Sequence, residues 1–199
     1  MWFRRSRDRA AQEIRCGQGC SACCRGLFDI TLLDAALLQQ GFAQLRPAVR
    51  KGVLERARRR LPELERRWPG FSHPYLLNHL PDEEWTSMPE DDMTPCPLLG
   101  EEGACLLYAD RPMGCRLHGL PQVDLSGEVF EESWCNRNFP GTDPLARDDL
   151  RWEFRRLFER EIVLFRRFTR QLTGTVHREL DTFIPTALLI DFRQKDWPQ

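Results

Sequence analysis

Apolar positions recur at helical spacing in three stretches of the chain. In "FDITLLDAALLQQGF", Leu33, Ala36, Leu37 and Gln40 share one face, with Leu33 and Leu37 as the apolar anchors. Thr31 precedes them as an N-cap with Asp34 at the N3 position, and Gly41 is the expected stop. A second helix is predicted from Pro47 to about Arg60, because proline suits a first helical turn. Pro62 is expected to kink it or restart it toward Trp68. The third and longest helix is expected to start at the Asp143-Pro144 pair and to stop at Gly174. Leu150, Phe154, Leu157, Phe158, Phe165, Phe168 and Leu172 lie on its broad apolar stripe, with arginines opposite. Such a stripe more often covers a core than docks a partner. "EVF" and "TFI" read as strand signals too brief to build a sheet around. The proline-rich and acidic stretch 71–92, ending in Glu90, Asp91 and Asp92, reads as a solvated loop with short helical pieces. The fold class is therefore mainly α, with irregular cysteine-rich loops around a metal centre and a long C-terminal amphipathic helix.

Composition narrows the class of protein. With 199 residues, 41% hydrophobic and 30% charged, the chain fits one ordinary globular domain. Its parts read as a basic N-terminal arm over 1–15, a cysteine-cluster domain over 16–140, and a helical extension over 141–199 that packs on the same domain. The 29 Lys+Arg against 30 Asp+Glu leave a net charge of -1, so no global field draws nucleic acid or an anionic membrane. Arg58-Arg59-Arg60 stands among Glu55, Glu63 and Glu65 and reads as a solvated helix face. The basic start lacks the apolar segment of a signal peptide, and no apolar run approaches the ~18 residues of a membrane helix. The expected compartment is cytoplasmic.

There, eight cysteines point to metal binding or catalysis rather than to disulfides. "CGQGCSACCRG" places Cys16, Cys20, Cys23 and Cys24 within nine positions, and Cys96, Cys105, Cys115 and Cys135 follow after a long gap. Crowded thiolates repel one another unless a cation offsets their charge, and Gly17 and Gly19 let the first turn wrap closely. Sulfur-only ligation suits zinc and iron–sulfur clusters alike. Adjacent Cys23 and Cys24 do not readily face one metal together, so the count allows two four-ligand sites or one cluster with spare thiols. The C-x3-C-x2-C spacing of radical S-adenosylmethionine enzymes is present, but their alternating strands and helices are not. The Cys20-x-x-Cys23 step likewise lacks the βαβ surroundings of a thioredoxin-like motif.

The second group completes a recognisable pattern. Cys96-Pro97-Leu98, then Cys105, Tyr108, Arg111-Pro112 and Cys115-Arg116, and finally Cys135 resemble the YkgJ-like cysteine-cluster proteins, described as a zinc- or iron-chelating domain. The resemblance covers about residues 16–140 and takes in all eight cysteines; the first spacing carries one residue more than the pattern. It implies a metal centre ligated by Cys16, Cys20, Cys23, Cys24, Cys96, Cys105, Cys115 and Cys135. The implied cofactor is an iron–sulfur cluster, of the 4Fe–4S type, with zinc as the alternative. Some relatives are flagellin lysine N-methylases and others are described as iron–sulfur oxidoreductases, so redox or methyl-transfer-like activity on a protein or peptide is the implied function. A non-enzymatic structural zinc module is the alternative, and no strand-flanked glycine-rich loop for S-adenosylmethionine is seen. Arg111 and Arg116 flank Cys115, where they can offset thiolate charge or fix the loop through backbone carbonyls. His118 makes a C-x-x-H step with Cys115 but reads as a polar surface histidine. His73, His79 and His177 have no ligand spacing.

Overall fold

A computed structural model of the chain describes residues 2–85, 92–194 and 197. Glu90 and Asp91 of the acidic cluster lie outside them. Helices dominate: α1 (Trp2–Arg9), α2 (Leu32–Ala43), α3 (Pro47–Arg67), α4 (Asp82–Trp85), α5 (Met113–Leu117), α6 (Phe154–Thr173) and α7 (Ile184–Ala187). The strands form two antiparallel pairs. β1 (Asp29–Thr31) pairs β4 (Asp181–Phe183) with Ile30 opposite Thr182, and β2 (Gln122–Val123) pairs β3 (Val129–Glu131). None of the described helices is long and apolar enough to cross a membrane.

The start of α2 is local chemistry. Thr31 Oγ1 accepts a hydrogen bond from the Asp34 N–H at 3.2 Å, the N-cap that its side chain predicts. The buried face is Leu32, Ala35, Leu38 and Phe42, one position away from the expected anchors, and Leu37 is 49% exposed. Two Leu-Leu pairs satisfy either register, and contact with α7 and β4 decides between them. Gly41 does not stop the helix, which runs to Ala43. A Cβ on Gly41 would lie 2.6 Å from Asp110 Cγ, so this glycine lets another segment approach.

Helix α3 continues through Pro62, which sits on its exposed side, for 21 residues. Its buried stripe is Val53, Ala57, Arg60 and Leu64. Arg60 thus departs from the expected solvated face: it turns inward, donates to Glu63 at 2.8 Å and pairs with Asp92. Asp92 is drawn in with it, and both side chains are 6% exposed.

Helix α6 starts about ten residues later than its sequence signal. Asp143 instead caps the short 3-10 turn Pro144–Ala146, its Oδ1 accepting from the Leu145 N–H at 2.9 Å. The α6 start is served from elsewhere: Asp124 Oδ1, beside β2, accepts the Arg155 N–H at 2.9 Å. Gly174 ends the helix in the left-handed region, φ 81°, as its position suggests. Phe154, Phe165, Thr169 and Thr173 are the buried residues of α6, whereas Ile162, Val163 and Leu164 are exposed.

Three apolar cores hold these elements. The first joins Leu32, Ala35 and Leu38 of α2 to Val53, Ala57, Ile184 and Ala187, with Cys96, Cys105 and Cys115 against its edge. The second joins Trp2, Ala10 and Ile14 to Leu117, Phe139 and Phe154, with Cys16 against it. The third joins Leu64 and Trp68 to Phe71, Leu77 and Phe183. Burial on this scale stabilises by about 25 cal/mol per Å² of apolar surface removed from water.

Candidate metal centre

Backbone pairing brings distant thiols together. The Cys20 N–H donates to Gly17 O and the Cys24 N–H to Ser21 O, both at 3.0 Å, so residues 17–24 form two successive turns. The next residues zip against 94–96: Gly26 N–H to Thr94 O and Cys96 N–H to Cys24 O, both at 2.9 Å. A Cβ on Gly26 would lie 2.9 Å from Asp92 O, so only glycine allows this approach. A tight reversal at 99–105 then returns Cys105, through Gly100 N–H to Ala104 O and Leu106 N–H to Leu98 O, both at 2.9 Å. Cys115 arrives on α5, whose first N–H, that of Met113, is accepted by Asp34 Oδ2 at 2.7 Å. Asp34 therefore serves two helices, its own through its N–H and α5 through its carboxylate.

Cys20, Cys23, Cys24, Cys96, Cys105 and Cys115 line one cavity of about 60 Å³. Phe28, Leu38, Leu98 and Ile184 supply apolar wall. Burial pushes the Cys96 thiol up to about 11. It pushes Cys115 up to about 12, helped by neighbouring Cys96, Cys105 and Cys23. Cys105 is raised by burial against the opposing pull of the Leu107 N–H and Arg111. Cys23 donates to Cys24, which raises Cys23 well above the usual thiol range and lowers Cys24. Cys23, Cys96, Cys105 and Cys115 are thus held toward the neutral thiol, whereas the bond from Cys23 favours the Cys24 thiolate. Ionising several of them together requires positive charge among them, which is the chemistry of a thiolate metal site.

The two flanking arginines divide their work. Arg111 lines the cavity with its guanidinium 3.8 Å from the centroid of the Tyr108 ring. Its charge opposes the upward shifts of Cys23, Cys105 and Cys115. Arg116 turns to the backbone, donating from Nε to Arg111 O at 2.8 Å and from its guanidinium to Ala109 O. His118 is exposed and sets its ring edge-on to Phe28 at the cavity wall, centroids 5.2 Å apart.

Cys16 and Cys135 are placed differently. Both lie against Gly119 (φ 97°): a Cβ there would be 3.2 Å from Cys16 Sγ and 3.6 Å from Cys135 Cβ. Asn138, 1% exposed, organises this corner. Its Oδ1 accepts the N–H groups of Arg15 (2.9 Å) and Cys16 (3.3 Å). Its Nδ2 donates to Gly119 O (2.6 Å) and to Cys16 Sγ (3.1 Å). Burial raises the Cys16 thiol, the bond from Asn138 opposes this, and Cys135, Cys20 and Cys23 add to it. Nothing in the sequence marks Asn138 beyond its place three residues after Cys135.

Among the described residues no group of three or more His, Cys, Asp or Glu side chains stands ready to hold a metal ion. The thiols surround a shared space without meeting at a point. Comparison of the chain with protein-family models, curated proteins and solved structures finds no match.

Proposed function

We propose that the chain is a metal-binding cysteine-cluster protein holding an iron–sulfur cluster in the six-thiol cavity, as the resemblance to YkgJ-like proteins implies. One observation carries the reading: turns 17–24, the paired segment 94–96, the reversal at 99–105 and α5 deliver six thiols to one largely apolar cavity. Four thiolates hold a 4Fe–4S cluster. The bond from Cys23 favours Cys24 as thiolate, and positive charge offsets the burial that raises Cys96, Cys105 and Cys115. Arg111 opposes the accumulated negative charge from one side. Phe28, Leu38 and Ile184 give the cavity apolar wall, and such a shell tunes the potential of a bound centre. A bound cluster supplies one-electron transfer.

The substrate class we infer is a protein or peptide. A second, more open groove of about 300 Å³ runs beside the cavity along Asp34, Leu37, Gln40 and Arg116, and Arg111 lines both. A structural zinc module is the second reading. It is favoured by the packing of Cys96, Cys105 and Cys115 on the first core, where a closed site would tie loops to helices.

Anaerobic purification followed by an absorption spectrum, with iron, zinc and acid-labile sulfide measured on the same sample, tests the proposal. A brown protein with iron and sulfide is expected. A colourless chain with stoichiometric zinc would select the structural module, and a metal-free chain would remove both readings.

A further inference from the structure

We propose that the eight thiols divide into two sites: Cys16, Cys20 and Cys135, with Asn138 positioning Cys16, hold a soft divalent cation of their own beside the cavity. The inference rests on the metal-binding reading above and adds a second centre to it.

Cys16 is not among the residues that line the cavity, and its side chain packs on a different core from Cys96, Cys105 and Cys115. Gly119 explains how Cys16 and Cys135 come together. Lacking a Cβ, it leaves open the space that both thiol side chains border, 3.2 Å from the sulfur of one and 3.6 Å from the Cβ of the other. Cys20 lines the cavity and also meets this corner, with Arg137 Nη1 3.8 Å from its sulfur. Arg137 lies two residues beyond Cys135, so a single loop brings a thiol, a cation and an amide to this corner.

Asn138 is the built part of the site. A buried primary amide has two donor hydrogens and two acceptor positions to satisfy. Here the backbone takes three of the four, and the remaining hydrogen is aimed at Cys16 Sγ at 3.1 Å. A neutral thiol is a weak acceptor, whereas a thiolate accepts such a bond well. The arrangement suits an electron-rich sulfur, and N–H groups in this relation to ligands hold metal centres in register. Cys23 and Cys24, which do not readily face one ion together, fall on the border. With Cys24 assigned to the cavity, Cys24, Cys96, Cys105 and Cys115 make four ligands there. Cys23 then completes four with Cys16, Cys20 and Cys135. Sulfur-only donors select zinc or a comparably soft ion. Thiol rotation must close either set, consistent with metal binding coupled to local ordering.

The test uses the full chain, reduced and stripped of metal, titrated anaerobically with zinc. Two equivalents bound per wild-type chain are expected. Cys135→Ser is expected to lose one equivalent and keep the other. Asn138→Asp, which removes the donor to Cys16, is expected to weaken one equivalent about 10- to 100-fold and leave the other unchanged. One equivalent in the wild-type chain would overturn the division while leaving a metal site in place, and this result needs no variant to fold. Loss of both equivalents in a Cys135→Ser chain with wild-type circular dichroism would also overturn it. No zinc bound by the wild-type chain would overturn the metal-binding reading itself.

Discussion

Arg60 carries its guanidinium inside the protein, where Asp92 meets it and Glu63 takes a second bond. Removing the carboxylate would strand a buried cation, a change that typically costs about 3–5 kcal/mol. Asp92→Ala is therefore expected to lower the urea midpoint sharply, and a loss under about 1 kcal/mol would show the pair to be solvated. Burial alone would raise the Asp92 carboxyl, but bonds from Arg60 and Thr94 outweigh it and hold the group below the usual carboxylate range. This stability is present above the ordinary carboxylate value and is lost as pH falls through the lowered one. Asp181 has the opposite sign. Burial first, then the charges of Glu179 and Asp29, hold its carboxyl up to about 7. The folded chain thus keeps a proton that the unfolded chain has released, and stability declines as pH rises from about 4 toward that value. Asp181→Asn is expected to raise the melting temperature at pH 8 and to flatten its decline between pH 5 and 8. An unchanged slope would place the titrating group elsewhere.

At the scale of elements, what could be read in advance was what is chemically local. Thr31 caps α2 and Gly174 stops α6 through side-chain and backbone properties of a few neighbouring residues. The misread features all depend on remote partners. The α6 start depends on Asp124, 31 positions before the N–H it accepts. The inward turn of Arg60 depends on Asp92, and the buried register of α2 on α7 and β4. Gly41 belongs with these, because its role is set by Asp110 on the loop that delivers Cys115. Gly→Ala inside an exposed helix ordinarily gains up to about 1 kcal/mol. Here Gly41→Ala is expected to destabilise by a similar amount or more, since Cβ would meet Asp110. The same variant is expected to weaken metal retention by displacing the segment between Cys105 and Cys115. A higher melting temperature with unchanged metal content would show that the contact yields freely.

Across the whole molecule, the thiols could be named from sequence but their grouping could not. Spacing shows that Cys16 and Cys20 are neighbours in the chain. Only the fold shows Cys16 and Cys135 meeting at Gly119 and Asn138, with Cys20 between that corner and the main cavity. The segments that carry the cysteines are irregular, joined by short backbone pairings, whereas α2, α3 and α7 share a continuous apolar core. Metal binding would then add order to these irregular segments, which Leu98 and Leu107 anchor to the same core. Chelation is expected to lower the melting temperature and to release amide protection in 16–26 and 94–118 before α2 and α3, as hydrogen exchange would read. X-ray absorption at the edge of the metal that copurifies with the full chain is the most direct test of thiolate ligation. A first shell of sulfur alone, at about 2.3 Å if the metal is zinc, is the expected result. A shell of nitrogen and oxygen would contradict it.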